Sequence, residues 1–236
     1  FKKKETVKLD NSICQFADDD WHNIMNPDRL EFLLSQSHKK FFSIKNQNER
    51  IKFVEKAEKT SKLFRSYLLD KRILKLMKKV IGREVNGLMT HVIFKNKGSK
   101  YAKMSWLPHQ DNSYAKMKKE SYITANLFIH KASKENGGLY LYPGSHKNGL
   151  LKSEKNFSYW AKYDQRPGNE IKSKNYKNSI DLNVKEGDFL IMNGNLIHGS
   201  YPNKSKKNSR HLLSFNYGVV GEKFFPGATA QRKRIY

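Results

Sequence analysis

At Gly82 the chain changes its period, and that change bounds what it can fold into. Upstream, apolar residues recur at helical spacing. Asn26-Pro27-Asp28 offers a cap and a first-turn proline, and Leu30, Leu33, Leu34, Ser37 and Phe41 follow on one face. A second helix is predicted from Asn48 to Leu69, with Ile51, Val54, Ala57, Ser61, Phe64 and Leu68 as its inner stripe. A third runs from Asp70 to Ile81 through Ile73, Leu76, Met77 and Val80, with Gly82 at its C-cap. Downstream the pattern becomes alternating. Val85 to Lys97 is rich in β-branched and aromatic residues. Tyr122 to Ile129 puts Ile123, Ala125, Leu127 and Ile129 on one face. Leu139 to Tyr142 stops at Pro143-Gly144, and Ile180, Leu182 and Val184 alternate with polar residues. Glu186-Gly187-Asp188 turns the chain into Phe189–Met192. Arg210 to Tyr217 closes the series with Arg210, Leu212, Ser214 and Asn216 on one face. Many short strands with Gly and Pro turns predict an all-β barrel or a double-sheet jelly roll behind a helical first third.

Residues 150–178 break this rhythm. They are polar, low in strand signal, and carry Tyr159, Trp160 and Tyr163. An insertion of that kind in a compact domain reads as a lid over a site. The expected organisation is one domain over 1–236. Within it, 1–82 is mainly helical, 83–220 is the β core with the insertion at 150–178, and 221–236 is a tail.

Charge and cysteine usage narrow the functional classes. Lys and Arg number 46 against 22 Asp and Glu, a net charge of +24. An anionic partner would explain this. So would a Lys- and Asn-rich composition from AT-rich codons. The basic residues are spread along the chain without a basic-aromatic block, which favours composition and makes nucleic acid an unfavoured partner. The single cysteine, Cys14, excludes an internal disulfide and offers no thiolate metal site, consistent with a cytoplasmic location. No apolar run approaches the roughly 20 residues of a membrane span. No secretory signal is visible, and the chain opens on Phe1, so its native start is expected upstream.

The chemistry-bearing stretch is Trp106-Leu107-Pro108-His109-Gln110-Asp111. Residues i and i+2 of a strand face the same way, so His109 and Asp111 can converge on one point. A third ligand must come from elsewhere, and His198 in Asn195-Leu196-Ile197-His198-Gly199-Ser200 is the candidate. Two histidines and one carboxylate form the facial triad of non-haem Fe(II) oxygenases, which leaves positions open for substrate chemistry. Asp18-Asp19-Asp20 reads as a solvated turn with no structured calcium loop around it.

These motifs resemble the phytanoyl-CoA dioxygenase family of Fe(II)/2-oxoglutarate oxygenases. The matching pieces run in order: His109-Gln110-Asp111, Glu135-Asn136-Gly137-Gly138, Tyr142-Pro143-Gly144-Ser145-His146, Glu186-Gly187-Asp188, His198-Gly199-Ser200 and Arg210. The resemblance implies a double-stranded β-helix, a cupin-like jelly roll, with N-terminal helices packed on one sheet. It implies that His109, Asp111 and His198 ligate iron, and that Arg210 pairs with the far carboxylate of 2-oxoglutarate, for which a planar guanidinium is suited. Ser200 matches a serine that bonds the same carboxylate, and Trp106 an aromatic beside the co-substrate. Asn96 or Lys95 would add a polar contact from the preceding strand. Asn126 stands where relatives often carry tryptophan. Gln110, Tyr114 and Trp160 are the candidates for substrate contact, although Tyr114 and Trp160 also fit simple packing roles. His146 reads as a turn residue, and His91, His130 and His211 as ordinary strand histidines.

The function implied is hydroxylation of a small organic substrate, anionic or of acyl-CoA type, using Fe(II), O2 and 2-oxoglutarate and releasing succinate and CO2. Two rivals share parts of the pattern. A nucleic-acid demethylase needs a basic face beside the open site, and a non-catalytic cupin-like metal binder has no use for Arg210 and Ser200.

Overall fold

The computed structural model describes residues 7–9, 13–16, 43, 57–60, 62–99, 101–156, 168–172 and 178–226. The predicted helix after Asn26, residues 48–56 of the second, and the Asp18-Asp19-Asp20 run lie outside the described residues. The remainder of the helical third forms α1 (Ala57–Thr60), α2 (Lys62–Leu68) and α3 (Lys71–Ile81). α3 starts where Asp70 accepts the Arg72 N–H at 2.8 Å, and it ends at Gly82, whose own N–H donates to the Lys78 carbonyl. Asp70 also pairs with the Arg72 guanidinium, which holds its carboxyl below the usual range. No helix among the described residues is long and apolar enough to cross a membrane.

The β region is antiparallel throughout and makes two principal sheets. Twelve strands are described. They are β1 (Val7–Leu9), β2 (Ile13–Phe16), β3 (Val85–Lys95), β4 (Trp106–His109), β5 (Tyr122–Phe128) and β6 (Leu139–Leu141), then β7 (Glu154–Asn156), β8 (Gly168–Glu170), β9 (Ile180–Asp181), β10 (Phe189–Asn193), β11 (His198–Ser200) and β12 (Arg210–Val219). The major sheet runs β1-β2-β10-β5-β12-β3, and the minor sheet β4-β11-β6-β9. Sequence reading missed β1 and β2, which lie in the part read as mainly helical. Their place beside β10 is a long-range pairing that no local pattern announces.

Strand alternation divides the major sheet into two faces. On one face Ile123, Ala125, Leu127, Phe189, Ile191, Leu213, Phe215 and Tyr217 pack against Phe64, Leu68, Ile73 and Met77 of the helices. The Tyr217 hydroxyl donates to the Leu68 carbonyl at 3.2 Å, and Gly87 gives Leu68 room: a Cβ there would lie 2.8 Å from Leu68 Cγ. Where the β3–β12 register shifts beside Asn216, the Thr90 N–H is taken by the buried Glu58 carboxylate on α1 at 2.9 Å. On the other face Phe128, Leu190, Met192 and Leu212 meet Leu139, Leu141, Leu182, Val184 and Leu196, which closes the two sheets on each other. The same face carries Thr124 and Asn126 on β5, and Arg210, Ser214 and Asn216 on β12.

The 150–178 stretch is not free of strand structure, as the sequence suggested. β7 and β8 pair as a two-stranded ribbon, and the Ile171 N–H donates to the Pro108 carbonyl at 2.8 Å, tying the ribbon's end to β4. Tyr159, Trp160 and Tyr163 lie outside the described residues.

Leu68 is fully buried among the helix-facing side chains. Leu68→Ala should lower unfolding free energy by about 2–5 kcal/mol in urea titrations. It should leave Co(II) binding unchanged, because this face of the sheet is turned away from the site.

Candidate active site

β4 and β11 are neighbours, and their register places His198 directly across from His109. Asp111 follows β4 and opens α4 (Asn112–Ala115). One ligand atom from each of His109, Asp111 and His198 lies within 4.8 Å of the others. Asp111 Oδ1 stands 3.4 Å from His109 Nε2 and 3.6 Å from His198 Nε2. His109 Nδ1 faces the Leu107 carbonyl at 2.7 Å, and His198 Nδ1 the Leu196 carbonyl at 3.0 Å. A carbonyl only accepts, so each Nδ1 carries the proton and each Nε2 lone pair points into the shared space.

The electrostatics suit metal ligation. Burial alone would raise the Asp111 carboxyl, but His198, His109 and the Thr124 hydroxyl outweigh it and hold the group well below the usual carboxylate range. Burial pushes the His198 imidazole down, against the pull of Asp111. Both directions, an ionised carboxylate and a His198 imidazole that resists protonation, suit metal binding. The side chains of His109 and His198 are 6% and 7% exposed against 22% for Asp111, so the cluster opens on the Asp111 side.

The residues flanking Asp111 clamp this geometry. Gln110 Nε2 donates to the carbonyls of Gly149 and Asn195, and its Oε1 accepts the Leu151 N–H at 2.8 Å. Asn112 Nδ2 donates to Asn195 Oδ1 and to the Met117 carbonyl, each at 2.9 Å. The expectation that Gln110 touches substrate is therefore corrected: its amide is buried and bound to backbone, bracketing the turn that leads into His198. Gly199 is required beside it. A Cβ there would lie 2.3 Å from the Tyr140 hydroxyl and 2.5 Å from the Trp106 carbonyl.

A second cluster lies next to the first. Arg210 on β12 pairs across strands with Lys95 on β3, and the two are 1% and 0% exposed. Lys95 Nζ donates to Ser200 Oγ at 2.8 Å and to the Tyr201 carbonyl. Arg210 Nε donates to the Gly137 carbonyl at 2.9 Å. The Asn136-Gly137-Gly138 turn wraps these two cations. A Cβ on Gly137 would lie 2.7 Å from Lys95 Cδ, and Gly137 has φ 89°. Asn136 shapes the turn by accepting the Ser133 N–H and donating to the Lys131 carbonyl, both at 2.8 Å. Burial, and then the neighbouring Arg210, push the Lys95 ammonium well below the ordinary lysine range. Two buried basic side chains side by side make a pocket whose charge suits an anion.

Of the two strand residues weighed for this pocket, Lys95 is the one in it. Asn96 points to the opposite face of the strand, as alternation demands, and its Oδ1 meets His211 Nε2. The assignment of Asn96 to the co-substrate is corrected on that ground. Ser200 is buried in the pocket, and Trp106 and Tyr114 are half-buried, with ring centroids 5.8 and 6.1 Å from that of His109. Asn126 is buried on the inner face of β5, across from Leu190 and Ser214. Trp160 lies outside the described residues. His146 occupies a 3-10 turn, Ser145–Asn148, outside the three-residue cluster. Thr124, which sequence reading passed over, donates its hydroxyl to Asp111 Oδ2 at 2.6 Å. Its parity with Asn126 on a strand facing the site was the available signal.

A family model described as phytanoyl-CoA dioxygenase matches residues 19–212. The chain belongs to the phytanoyl-CoA dioxygenase family. It is 36% identical over 110 residues to phytanoyl-CoA dioxygenase 1 of Oryza sativa subsp. japonica, covering 47% of this chain and 37% of that protein. It is 24% identical over 195 residues to a probable alpha-ketoglutarate-dependent hypophosphite dioxygenase of Stutzerimonas stutzeri, covering 72% and 63%. The chain thus spans less than two-thirds of the length of these curated relatives. Among solved structures it resembles the epimerase SnoN in complex with Fe3+, alpha ketoglutarate and nogalamycin RO, with TM-score 0.59, 18% identity and coverage of 77% and 72%. It also resembles HygX from Streptomyces hygroscopicus with nickel, 2-oxoglutarate and hygromycin B bound, with TM-score 0.51, 19% identity and coverage of 71% and 69%. At such identities the likeness establishes a shared fold.

The buried lysine of this family member has a measurable signature. Between its depressed folded pKa and the unfolded value of about 10.4, the unfolded chain holds more protons, so stability rises with pH through that window. Lys95→Met should remove this rise and stabilise the protein at neutral pH, measured as urea midpoints at pH 7 and pH 9. An unaltered slope in the variant would mean that Lys95 stays charged when the pocket holds no anion.

Proposed function

We propose that the chain is an Fe(II)- and 2-oxoglutarate-dependent dioxygenase that hydroxylates a small organic substrate on a double-stranded β-helix. One observation carries the reading. Ser200 follows His198 by two residues on the same strand, and its Oγ meets Lys95 at the cation pair. Two strand residues rise about 6.6 Å, a span suited to a five-carbon dicarboxylate. One end of that molecule can reach the metal while the other reaches Arg210 and Lys95. A metal binder without catalysis has no need of two buried cations at that distance. The alternation of strands between two facing sheets supports the β-helix.

The residues divide the work. His109, Asp111 and His198 hold the metal from one side and leave its other positions open. Bound iron supplies O2 activation coupled to decarboxylation of the co-substrate. Arg210 and Lys95 fix the far carboxylate, and Ser200 orients the Lys95 ammonium. Trp106 and Tyr114 flank His109 and limit water at the metal. The small-molecule ligands named for HygX and SnoN support a small organic substrate.

Anaerobic titration tests the assignment. His109→Ala, Asp111→Ala and His198→Ala should each abolish tight Fe(II) binding. Arg210→Ala should retain iron but weaken 2-oxoglutarate binding by about thirtyfold to several-thousandfold, the loss from removing one partner of a buried charge pair worth roughly 2–5 kcal/mol. Wild-type 2-oxoglutarate affinity in Arg210→Ala would refute the co-substrate pocket.

The β7–β8 ribbon is assigned the role of a cover beside the metal, supported by its tie from Ile171 to Pro108. Ile171→Asp should then raise succinate release in the absence of substrate while leaving Co(II) affinity intact. Basal succinate release equal to wild type would reduce the ribbon to a surface feature.

A further inference from the structure

The metal cluster leaves one part of Asp111 unexplained. Its Oδ1 faces both histidine Nε2 atoms, but its Oδ2 is held elsewhere, by the Thr124 hydroxyl at 2.6 Å. Thr124 lies on β5, in the sheet opposite the one that carries His109 and His198. Behind it, Asn216 on β12 is the cross-strand partner of Thr124, and its Nδ2 approaches Thr124 Oγ1 at 3.4 Å. Both side chains are buried, Thr124 at 3% and Asn216 at 2% exposure. Asn216 Oδ1 is also buried and has no hydrogen-bond partner among the described residues.

We propose that Thr124, backed by Asn216, is a positioning residue that restricts Asp111 to a single metal-facing oxygen. This rests on the metal site proposed above. The proton count fixes the direction of the relay. A threonine hydroxyl has one proton, and a carboxylate only accepts, so that proton lies on the line to Asp111 Oδ2. Thr124 Oγ1 can then only accept from Asn216, which obliges Asn216 to turn its Nδ2 inward and its Oδ1 away. Turning the amide over would give Oδ1 a donor, but that donor would be the Thr124 hydroxyl, taken from Asp111. The chain tolerates an unsatisfied buried carbonyl and keeps the charge-assisted bond, which is the stronger of the two.

The consequence is geometric. A carboxylate with two free oxygens can chelate a metal and occupy two positions. With Oδ2 engaged by Thr124, Asp111 presents Oδ1 alone. Three protein atoms would then hold the metal, leaving room on it for a co-substrate and O2. The contact also couples the two sheets at the metal, since the ligand sits on one side and its orienting group on the other.

Co(II) replaces Fe(II) in the test because its visible spectrum reports coordination number and its affinity is measured without turnover. Thr124→Val removes the hydroxyl at nearly constant shape. It should weaken Co(II) binding by about 10- to 100-fold, the range found when groups that orient metal ligands are lost. It should also change the visible absorption of the Co(II) protein toward higher coordination. Thr124→Ser keeps the hydroxyl and should restore both affinity and spectrum, which a packing role for the methyl group would not allow. Asn216→Ala leaves Thr124 in place and should produce a smaller shift of the same kind. In Thr124→Val/Asn216→Ala the Asn216 change should add nothing further to the loss in Co(II) affinity. Wild-type affinity and spectrum in Thr124→Val overturn the proposal, and additive losses in the double variant overturn the part given to Asn216. If Thr124→Val does not fold, Asn216→Ala decides: a wild-type spectrum and affinity there count against the relay. His198→Ala separates the levels. Lost binding there beside wild-type binding in Thr124→Val rejects the relay alone, and retained binding in both rejects the metal site itself.

Discussion

The site depends on the register between β4 and β11. His198 must stand opposite His109, and a slip of one residue would turn His198 to the other face and bring Ile197 or Gly199 into the cluster with His109 and Asp111. Three-residue β11 is too short to fix its own register. The surroundings fix it instead. Gln110 and Asn112, on either side of Asp111, both reach Asn195 in the turn before β11. Ser145 Oγ accepts the Ile197 N–H, and the Tyr142 N–H donates to the Ile197 carbonyl. The Tyr140 ring packs over Gly199 so closely that no side chain fits there. The Asp111 loop therefore positions His198 while contributing Asp111 to the same cluster.

The cation pair imposes a different constraint. Lys95 and Arg210 face each other from neighbouring strands at the inner end of the major sheet. Burial and the neighbouring Arg210 both disfavour the charged form of Lys95, and an anion bound beside them would relieve both. Backbone carbonyls of Gly137 and Tyr201 and the Ser200 hydroxyl orient the two side chains. Their packing also explains the Asn136-Gly137-Gly138 turn, whose glycines permit backbone to lie against a lysine stem.

Much of this was legible in the residues themselves. The helix Lys71–Ile81 follows from period because it buries one regular face, and the strands Tyr122–Phe128 and Arg210–Val219 follow from alternation, each burying both faces in different layers. His109 and Asp111 follow from spacing. What was not legible depends on pairing between distant segments. Lys95 and Asn96 are adjacent polar residues on one strand, and only the register against β12 shows which of them meets Arg210. Gln110, a candidate substrate contact between His109 and Asp111, has backbone atoms of residues 149, 151 and 195 as its partners. The β1–β2 pair escaped notice because its backbone is joined to β10 from the far end of the sequence. Trp160 and the tract around it stay outside the described residues, so their part in substrate choice rests on sequence alone.

Strand β5 serves two purposes by alternation. Its odd-numbered residues, Ile123, Ala125 and Leu127, grip the helices, while its even-numbered residues, Thr124, Asn126 and Phe128, face the interior. β12 is divided in the same way. Apolar cohesion on the inner face rests on Phe128 and Leu212, whereas Thr124, Asn126, Ser214 and Asn216 are polar. These polar positions can therefore change with less loss of apolar packing than the helix-facing ones. A scaffold partitioned in this manner can diversify its chemistry over evolutionary time without first having to be rebuilt.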